Sequence, residues 1–213
     1  MTYHFVDMDQ YPRRAHFAHF LTQPNPHLGV TVEVDVTELV SLCRARDWSF
    51  YLAMIHLTAL AANAVPELRQ RIRAGAIVEY DRCDTSHIEL LEDGTYCYCT
   101  LCHDPSQSLE AYMAEAEARR AKARSGGSIE EDEGVEGLFC LTSLPWLHYT
   151  QLTQPTAGTE DSNPRISWGR YEADAHGRLM LPLTLLCHHS LVDGLQLARF
   201  YDEVQKRLSG LHM

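Results

Sequence analysis

Near the C-terminus, Leu179-Met180-Leu181-Pro182-Leu183-Thr184-Leu185-Leu186-Cys187 is an apolar run short enough to be a buried strand. Downstream, Leu197, Phe200, Val204 and Leu208 recur at i, i+3, i+7 and i+11, which is one face of a helix. Between them stands His188-His189-Ser190-Leu191-Val192-Asp193-Gly194. Two histidines therefore end a strand, and an Asp-Gly pair turns the chain into a helix. An imidazole so placed opens on a cleft rather than a solvated loop. Asp193 falls beside the positive helix N-terminus, which favours its ionised form. Gly194 reads as a position needing backbone freedom that a side chain would block.

Other segments follow the same two periodicities. Val30 to Val36 alternates apolar and polar residues, as a half-buried strand does. Thr37 to Arg44 is a short helix, and Trp48 to Val65 a long one that ends before Pro66. Ile77–Tyr80, His87–Leu91, Tyr96–Leu101, Leu138–Ser143, Arg165–Tyr171 and Leu179–Cys187 read as strands, and Ser108–Arg124 as a helix capped by Ser108. Glu92-Asp93-Gly94 is a hairpin turn. Pro24 to Gly29 is a loop by its prolines and glycine, and the acidic stretch Ser125–Gly137 is expected to be a mobile one. No repeat or interdomain linker interrupts the pattern, so residues 1–213 are expected to form a single domain.

A net charge of −11 argues against general nucleic-acid binding, which needs basic patches. No apolar run approaches the roughly 20 residues of a membrane span, and the N-terminus has no basic-then-apolar signal; a cytoplasmic protein is expected. Seven cysteines cannot all pair within the chain. Cys97, Cys99 and Cys102 lie close together, but Cys99-x-x-Cys102 has no second pair to complete a zinc site. Reduced, partly buried thiols and no metal are expected. Phosphate-binding glycine loops and a Gly-x-Ser-x-Gly elbow are also missing from the sequence.

The His-His-x-x-x-Asp-Gly pattern resembles that of the chloramphenicol acetyltransferases and, more distantly, the acyltransferase cores of 2-oxoacid dehydrogenase complexes. Three further segments match in the family's order. Tyr11, Arg13, Arg14, His16 and Phe17, with Phe20 beyond, are similar to its N-terminal motif, although Tyr11 replaces the usual Trp. Asn63, Pro66-Glu67, Leu68 and Arg69 match a second motif. Thr142-Ser143-Leu144-Pro145-Trp146 resembles its Ser-Ala-x-Pro-Trp segment. The resemblance spans Tyr11 to Leu208. It implies a two-layer α/β sandwich with a mixed β-sheet, of the CoA-dependent acyltransferase type. It further implies a homotrimer with active sites at subunit interfaces, and direct acetyl transfer from acetyl-CoA, as co-substrate, to a hydroxyl.

Such a transfer removes a proton from the attacking alcohol and stabilises an oxyanion. By resemblance the base is His189, with His188 structural. Asp193 invites a triad reading, but in the family the matching aspartate pairs with the N-terminal arginine, here Arg13. Register from Pro145-Trp146 puts Thr142 at the stabilising serine, with Ser143 the competitor. Ser167 stands at a threonine that supports the transition state through water. Trp146, Arg170 and Tyr171 match residues lining the coenzyme A channel, whereas the family's lysine before Phe50 is Ser49 here. Phe20, Leu28, Tyr96 and Phe139 are candidate walls for an acceptor such as chloramphenicol. An altered Pro24-Asn25-Pro26 loop and Leu28 in place of an aromatic make the acceptor the least fixed feature. Two other readings are a core acting on a lipoyl thiol, for which the flexible linkers are missing, and a non-catalytic CoA-binding relative. Arg13, His189, Asp193 and the hydroxyl at position 142 weigh against the second.

Overall fold

The run from Leu179 is the central strand of the computed structural model, which describes residues 2–126 and 137–211. In chain order the elements are β1 (Tyr3–Phe5), α1 (Arg14–Leu21), β2 (His27–Asp35), α2 (Thr37–Arg46) and α3 (Phe50–Asn63). After a 3₁₀ turn (Pro66–Arg69) come β3 (Gln70–Arg73), β4 (Ala76–Tyr80), β5 (Asp84–Leu90), β6 (Tyr96–Leu101) and α4 (Leu109–Gly126). The chain closes with β7 (Leu138–Ser143), β8 (Arg165–Trp168), β9 (Glu172–Ala173), β10 (Leu179–His188) and α5 (Gly194–Leu208). Residues 127–136 of the expected acidic loop lie outside the described residues.

The large sheet has the order β2-β10-β8-β7-β5-β6, with β9 also on β10. It is mixed, because β5–β7 and β7–β8 are parallel and the other pairs antiparallel. A small sheet, β1-β4-β3, flanks it. The sequence reading missed β1, whose three residues are exposed, and β3, which follows directly on the 3₁₀ turn.

Strand alternation sorts the large sheet into two faces. Phe139, Leu141, Ile166, Trp168, Leu181, Leu183 and Leu185 turn into one core with the helices. Apolar on nearly every side, α3 is buried almost throughout, while α5 buries a single stripe of Leu197, Phe200, Tyr201, Val204 and Leu208. Each such side chain contributes about 1.5–3 kcal/mol on burial. The other face carries Thr31, Thr184, Ser167, Thr142 and Cys140, and opens on two hollows.

Two boundaries differ from expectation for identifiable reasons. β10 pairs with β2 over nine residues and so draws His27 to Gly29 into the strand. β8 ends at Trp168 rather than Tyr171. There Gly169 N–H donates to the Pro182 carbonyl (3.1 Å) and Arg170 N–H to the Leu147 carbonyl (2.7 Å). A Cβ at Gly169 would collide with the Leu147 oxygen, so the crossing of these two loops needs glycine. The Glu92–Gly94 turn is as expected: Gly94 has φ +83° and donates to the Leu91 carbonyl. Gly194, by contrast, uses none of its freedom. Its φ is ordinary, and a Cβ there would meet nothing.

Candidate active site

The corner after β10 is fixed by five interactions. Asp193 is the N-cap of α5: its Oδ1 accepts from Leu195 N–H (3.1 Å), and Gln196 Oε1 accepts from Asp193 N–H (3.1 Å). The second carboxylate oxygen accepts from Arg13, which precedes α1. Arg13 Nη2 also points at the His189 carbonyl, 3.5 Å away. Gln196 Nε2 donates to Glu67 (3.1 Å), tying the corner to the 3₁₀ turn. Burial works against the charge on Asp193, but Arg13 and the Leu195 N–H outweigh it and hold the carboxyl below its usual range. Arg13 is 13% exposed and Asp193 34%, so the pair sits at the edge of the core, where the cost of a fully buried charge does not apply. Asp193 makes no contact with a histidine ring among the described interactions, so the triad geometry is not formed.

The two histidines differ in what their rings can do. His188 is buried; its Nε2–H donates to the Thr159 carbonyl (2.7 Å) and its Nδ1 accepts from Ser190 N–H (3.2 Å). Both nitrogens are used, and burial pushes its pKa down. Among the described residues the His189 ring bonds only through Nδ1, which donates to the Val192 carbonyl (2.9 Å). That fixes the tautomer and leaves the Nε2 lone pair bare. Phe20 of α1 stacks on the ring, centroids 3.7 Å apart at 22°.

The candidate hydroxyls lie elsewhere. Cα register aligns Thr31 with Thr184, Thr184 with Ser167, and Ser167 with Thr142, a row across four strands. Thr142 lines a hollow of about 970 Å³ with Ser86, Ile88, Tyr96, Tyr98 and part of the 152–163 segment. Ser143 is on the opposite strand parity and does not line it. Ser167 is buried, and its Oγ completes no hydrogen bond among the described residues. His189, just past the end of β10, lies five positions on from Thr184, about 16 Å of extended chain. No described hydrogen bond or ring contact joins His189 to Thr142 or Ser167.

The remaining candidates are scattered. Leu28 lines a smaller hollow of about 350 Å³ with Thr31 and Thr184. Tyr96 is on the wall of the larger one. Phe139 is a correction: it is fully buried on the helix face of β7 with the Arg71 guanidinium over its ring, because the pocket parity on that strand belongs to Cys140 and Thr142. Trp146 is 66% exposed, Arg170 pairs with Glu172 (2.6 Å), and Tyr171 meets Phe50 edge-on; all three lie outside the larger hollow. Sequence reasoning missed Ser86, Ile88 and Tyr98, which alternation with Tyr96 could have found. The 152–163 wall was also missed, having no periodicity to read. His27 and His188 pin that wall through the Asp161 and Thr159 carbonyls.

The other motif residues brace the frame. Asn63 exchanges two hydrogen bonds with the Cys83 backbone (2.8 and 2.9 Å), Arg69 donates to the Tyr80 carbonyl and pairs with Glu79 (3.2 Å), and Tyr11 donates to Gln70 (3.0 Å). Cys97 and Cys99 are buried opposite Glu89 and His87, whereas Cys102 is exposed. Among the described residues no helix is long and apolar enough to cross a membrane.

The family model for chloramphenicol acetyltransferase matches residues 1–205. Chloramphenicol acetyltransferase 2 of Haemophilus influenzae is 26% identical over 212 residues, 96% of each chain. Chloramphenicol acetyltransferase 3 of Escherichia coli is 26% identical over 97% of each. A solved chloramphenicol acetyltransferase superposes with a TM-score of 0.90 at 27% identity, covering 97% of this chain and all of the other. The dihydrolipoamide acetyltransferase of Azotobacter vinelandii shares the fold at 19% identity and a TM-score of 0.71, over 92% of this chain and 86% of its own. With its motifs seated at one corner and one sheet face, the chain belongs to the chloramphenicol acetyltransferase family.

Proposed function

We propose that the protein moves an acetyl group from acetyl-CoA to a hydroxyl of chloramphenicol, and so confers resistance to it. The observation that carries this reading is the split in ring chemistry at the strand end. His188 has both nitrogens committed, and His189 presents a bare Nε2 with its tautomer fixed by Val192. His189 Nε2 takes the proton of the acceptor hydroxyl as its oxygen attacks the thioester carbonyl. Thr142 donates its hydroxyl to the carbonyl oxygen as charge gathers there, and Ser167 supports it from the next strand. As the C–S bond breaks, the sulfur leaves with the proton held by His189, giving the ester and free thiol.

The residues suit the co-substrate. The larger hollow is lined by the Ser86 and Thr142 hydroxyls, and the buried Ser167 Oγ completes no hydrogen bond among the described residues. Exposed Trp146 and half-buried Tyr171 offer aromatic surface for the coenzyme, and Arg170 would share its guanidinium between Glu172 and a phosphate. Phe20 on the base and the Tyr96, Tyr98 and Ile88 wall offer apolar contact for the nitrophenyl ring.

About 16 Å of strand between the base and the hydroxyl row is too far for one chain to do this chemistry alone. We therefore assign the active site to a subunit boundary in a homotrimer, where His189 of one copy faces the hollow of its neighbour. Purified protein with acetyl-CoA and saturating chloramphenicol, analysed by mass spectrometry, should yield the acetyl ester. No ester from folded protein that still binds acetyl-CoA overturns the acceptor. Sedimentation showing an active monomer overturns the shared site.

A further inference from the structure

We propose that Tyr149 and Thr184 are positioning residues for the Ser167 hydroxyl, acting through a one-way chain of hydroxyls that begins at Thr31. The proposal rests on the reading of Ser167 as a support for the developing oxyanion. Thr184 Oγ1 donates to Tyr149 Oη at 3.2 Å, and Thr184 and Thr31 share a 2.7 Å hydrogen bond. A hydroxyl has one hydrogen. Having given its own to Tyr149, Thr184 can only accept from Thr31. Tyr149 then keeps its hydrogen for a next oxygen, and Ser167, which lies beside it with an Oγ that completes no hydrogen bond among the described residues, is the acceptor this chain assigns to it. Burial raises the Tyr149 pKa, and the Thr184 and Ser167 hydroxyls beside it pull it back.

The strand register brings the hydroxyls of this chain side by side. Ser167 and Thr184 are Cα partners on neighbouring strands, both buried, both on the pocket face. Once Ser167 accepts from Tyr149, its own hydrogen is free, and the next member of the row is Thr142 at the hollow. Hydrogen bonds in series polarise one another, so each donor upstream makes Ser167 a better one. Tyr149 itself comes from the segment that crosses β8 at Gly169, so the same loop crossing sets its ring on the sheet.

The test measures kcat and both KM values for chloramphenicol acetylation by the intact protein. Tyr149→Phe and Thr184→Val should each lower kcat about tenfold and leave both KM values within about twofold. Thr184→Ser keeps the donor and should restore kcat, and the Tyr149→Phe/Thr184→Val double variant should be no slower than either alone, because one chain is cut once. Ser167→Ala is the reference and should lose at least as much. If Thr184→Val does not fold, Tyr149→Phe decides alone, since Phe keeps the ring. A loss in Ser167→Ala with normal kcat in Tyr149→Phe overturns the relay and spares the role of Ser167. A normal kcat in Ser167→Ala overturns both. Failure of Thr184→Ser to restore a slow Thr184→Val overturns the relay in favour of packing.

Discussion

Replacing Asp193 separates its two jobs. Asn at this position keeps a side-chain oxygen for Leu195 N–H and remains a good N-cap, but it loses the charge that faces Arg13. Ala loses both. A charge-assisted hydrogen bond contributes about 1.5–3 kcal/mol when shielded and much less when exposed. With the partners 13% and 34% exposed, Asp193→Asn should cost about 1–2 kcal/mol. Losing the cap adds about 1 kcal/mol, so Asp193→Ala should cost roughly 2–3 kcal/mol. Urea unfolding at fixed protein concentration measures both. The carboxyl pKa is lowered in the folded state, so the pair stabilises the protein above the ordinary value of 3.8 and stops doing so as pH falls through the lower folded value. Wild type and Asp193→Asn should therefore differ at neutral pH and converge in strong acid. Because Arg13 also faces the His189 carbonyl, kcat should drop about tenfold in Asp193→Asn with little change in the acetyl-CoA KM. Arg13→Ala should look the same, and the double variant should lose less than the sum. Fully additive losses would refute a shared contact.

His189→Ala should abolish transfer while acetyl-CoA binding persists; His188→Ala should lose stability, read by thermal unfolding, because the Thr159 carbonyl and Ser190 N–H both lose a partner. Activity surviving in folded His189→Ala would exclude it as base. Thr142→Val should lower kcat on the order of a hundredfold, and Ser143→Ala should not; the reverse result would move the oxyanion donor by one residue. In the core, Thr85 donates to the Leu101 carbonyl, so His103 Nε2–H donates to Thr85 and its bare Nδ1 accepts from His56 Nδ1–H (3.3 Å). Burial holds the His56 pKa down at about 4 against the ordinary 6.5, so the unfolded chain binds the extra proton and stability falls as pH drops from 6.5 towards 4. His56 alone should account for on the order of 3 kcal/mol of that loss. His56→Asn keeps a donor for His103 and should flatten the urea-stability profile by that amount; parallel profiles would rule the assignment out.

What the sequence revealed depended on whether a local rule governed the position. Helix α5 was legible because burial of one face forces a period on its apolar residues, and α3 and β10 because nearly unbroken apolar runs of helix and strand length must be buried. Asp193 was legible as a charge at the start of α5, because the positive end of a helix favours an anion there; that it caps the helix came from the structure. The start of β2 was not legible, since His27 to Gly29 belongs to nine residues of pairing with β10, where His27 meets His188, 161 positions on, and this pairing outweighs a loop-like composition. Phe139 failed on parity: an aromatic on a pocket-forming strand says nothing of its face until its neighbours are assigned, and Cys140 and Thr142 take the pocket side. The setting of Tyr149 was invisible in sequence because Thr184, which bonds it, and Ser167 beside it come from β10 and β8. Motif order located His189, and only the Val192 carbonyl told which of its nitrogens is bare.

The distance between His189 and the hydroxyl row has a genetic consequence. If base and oxyanion donor come from different copies, a defect in one does not occupy the same site as a defect in the other. His189→Ala chains, inactive alone, and Thr142→Val chains, slow alone, would regain activity when unfolded and reassembled together. At some boundaries the first would contribute its Thr142 and the second its His189, and that site would be whole. Two damaged alleles expressed in one cell would then complement each other. A chain carrying both defects could not be rescued by either single variant at a boundary that needs its contribution, and it would silence the sites on both of its sides.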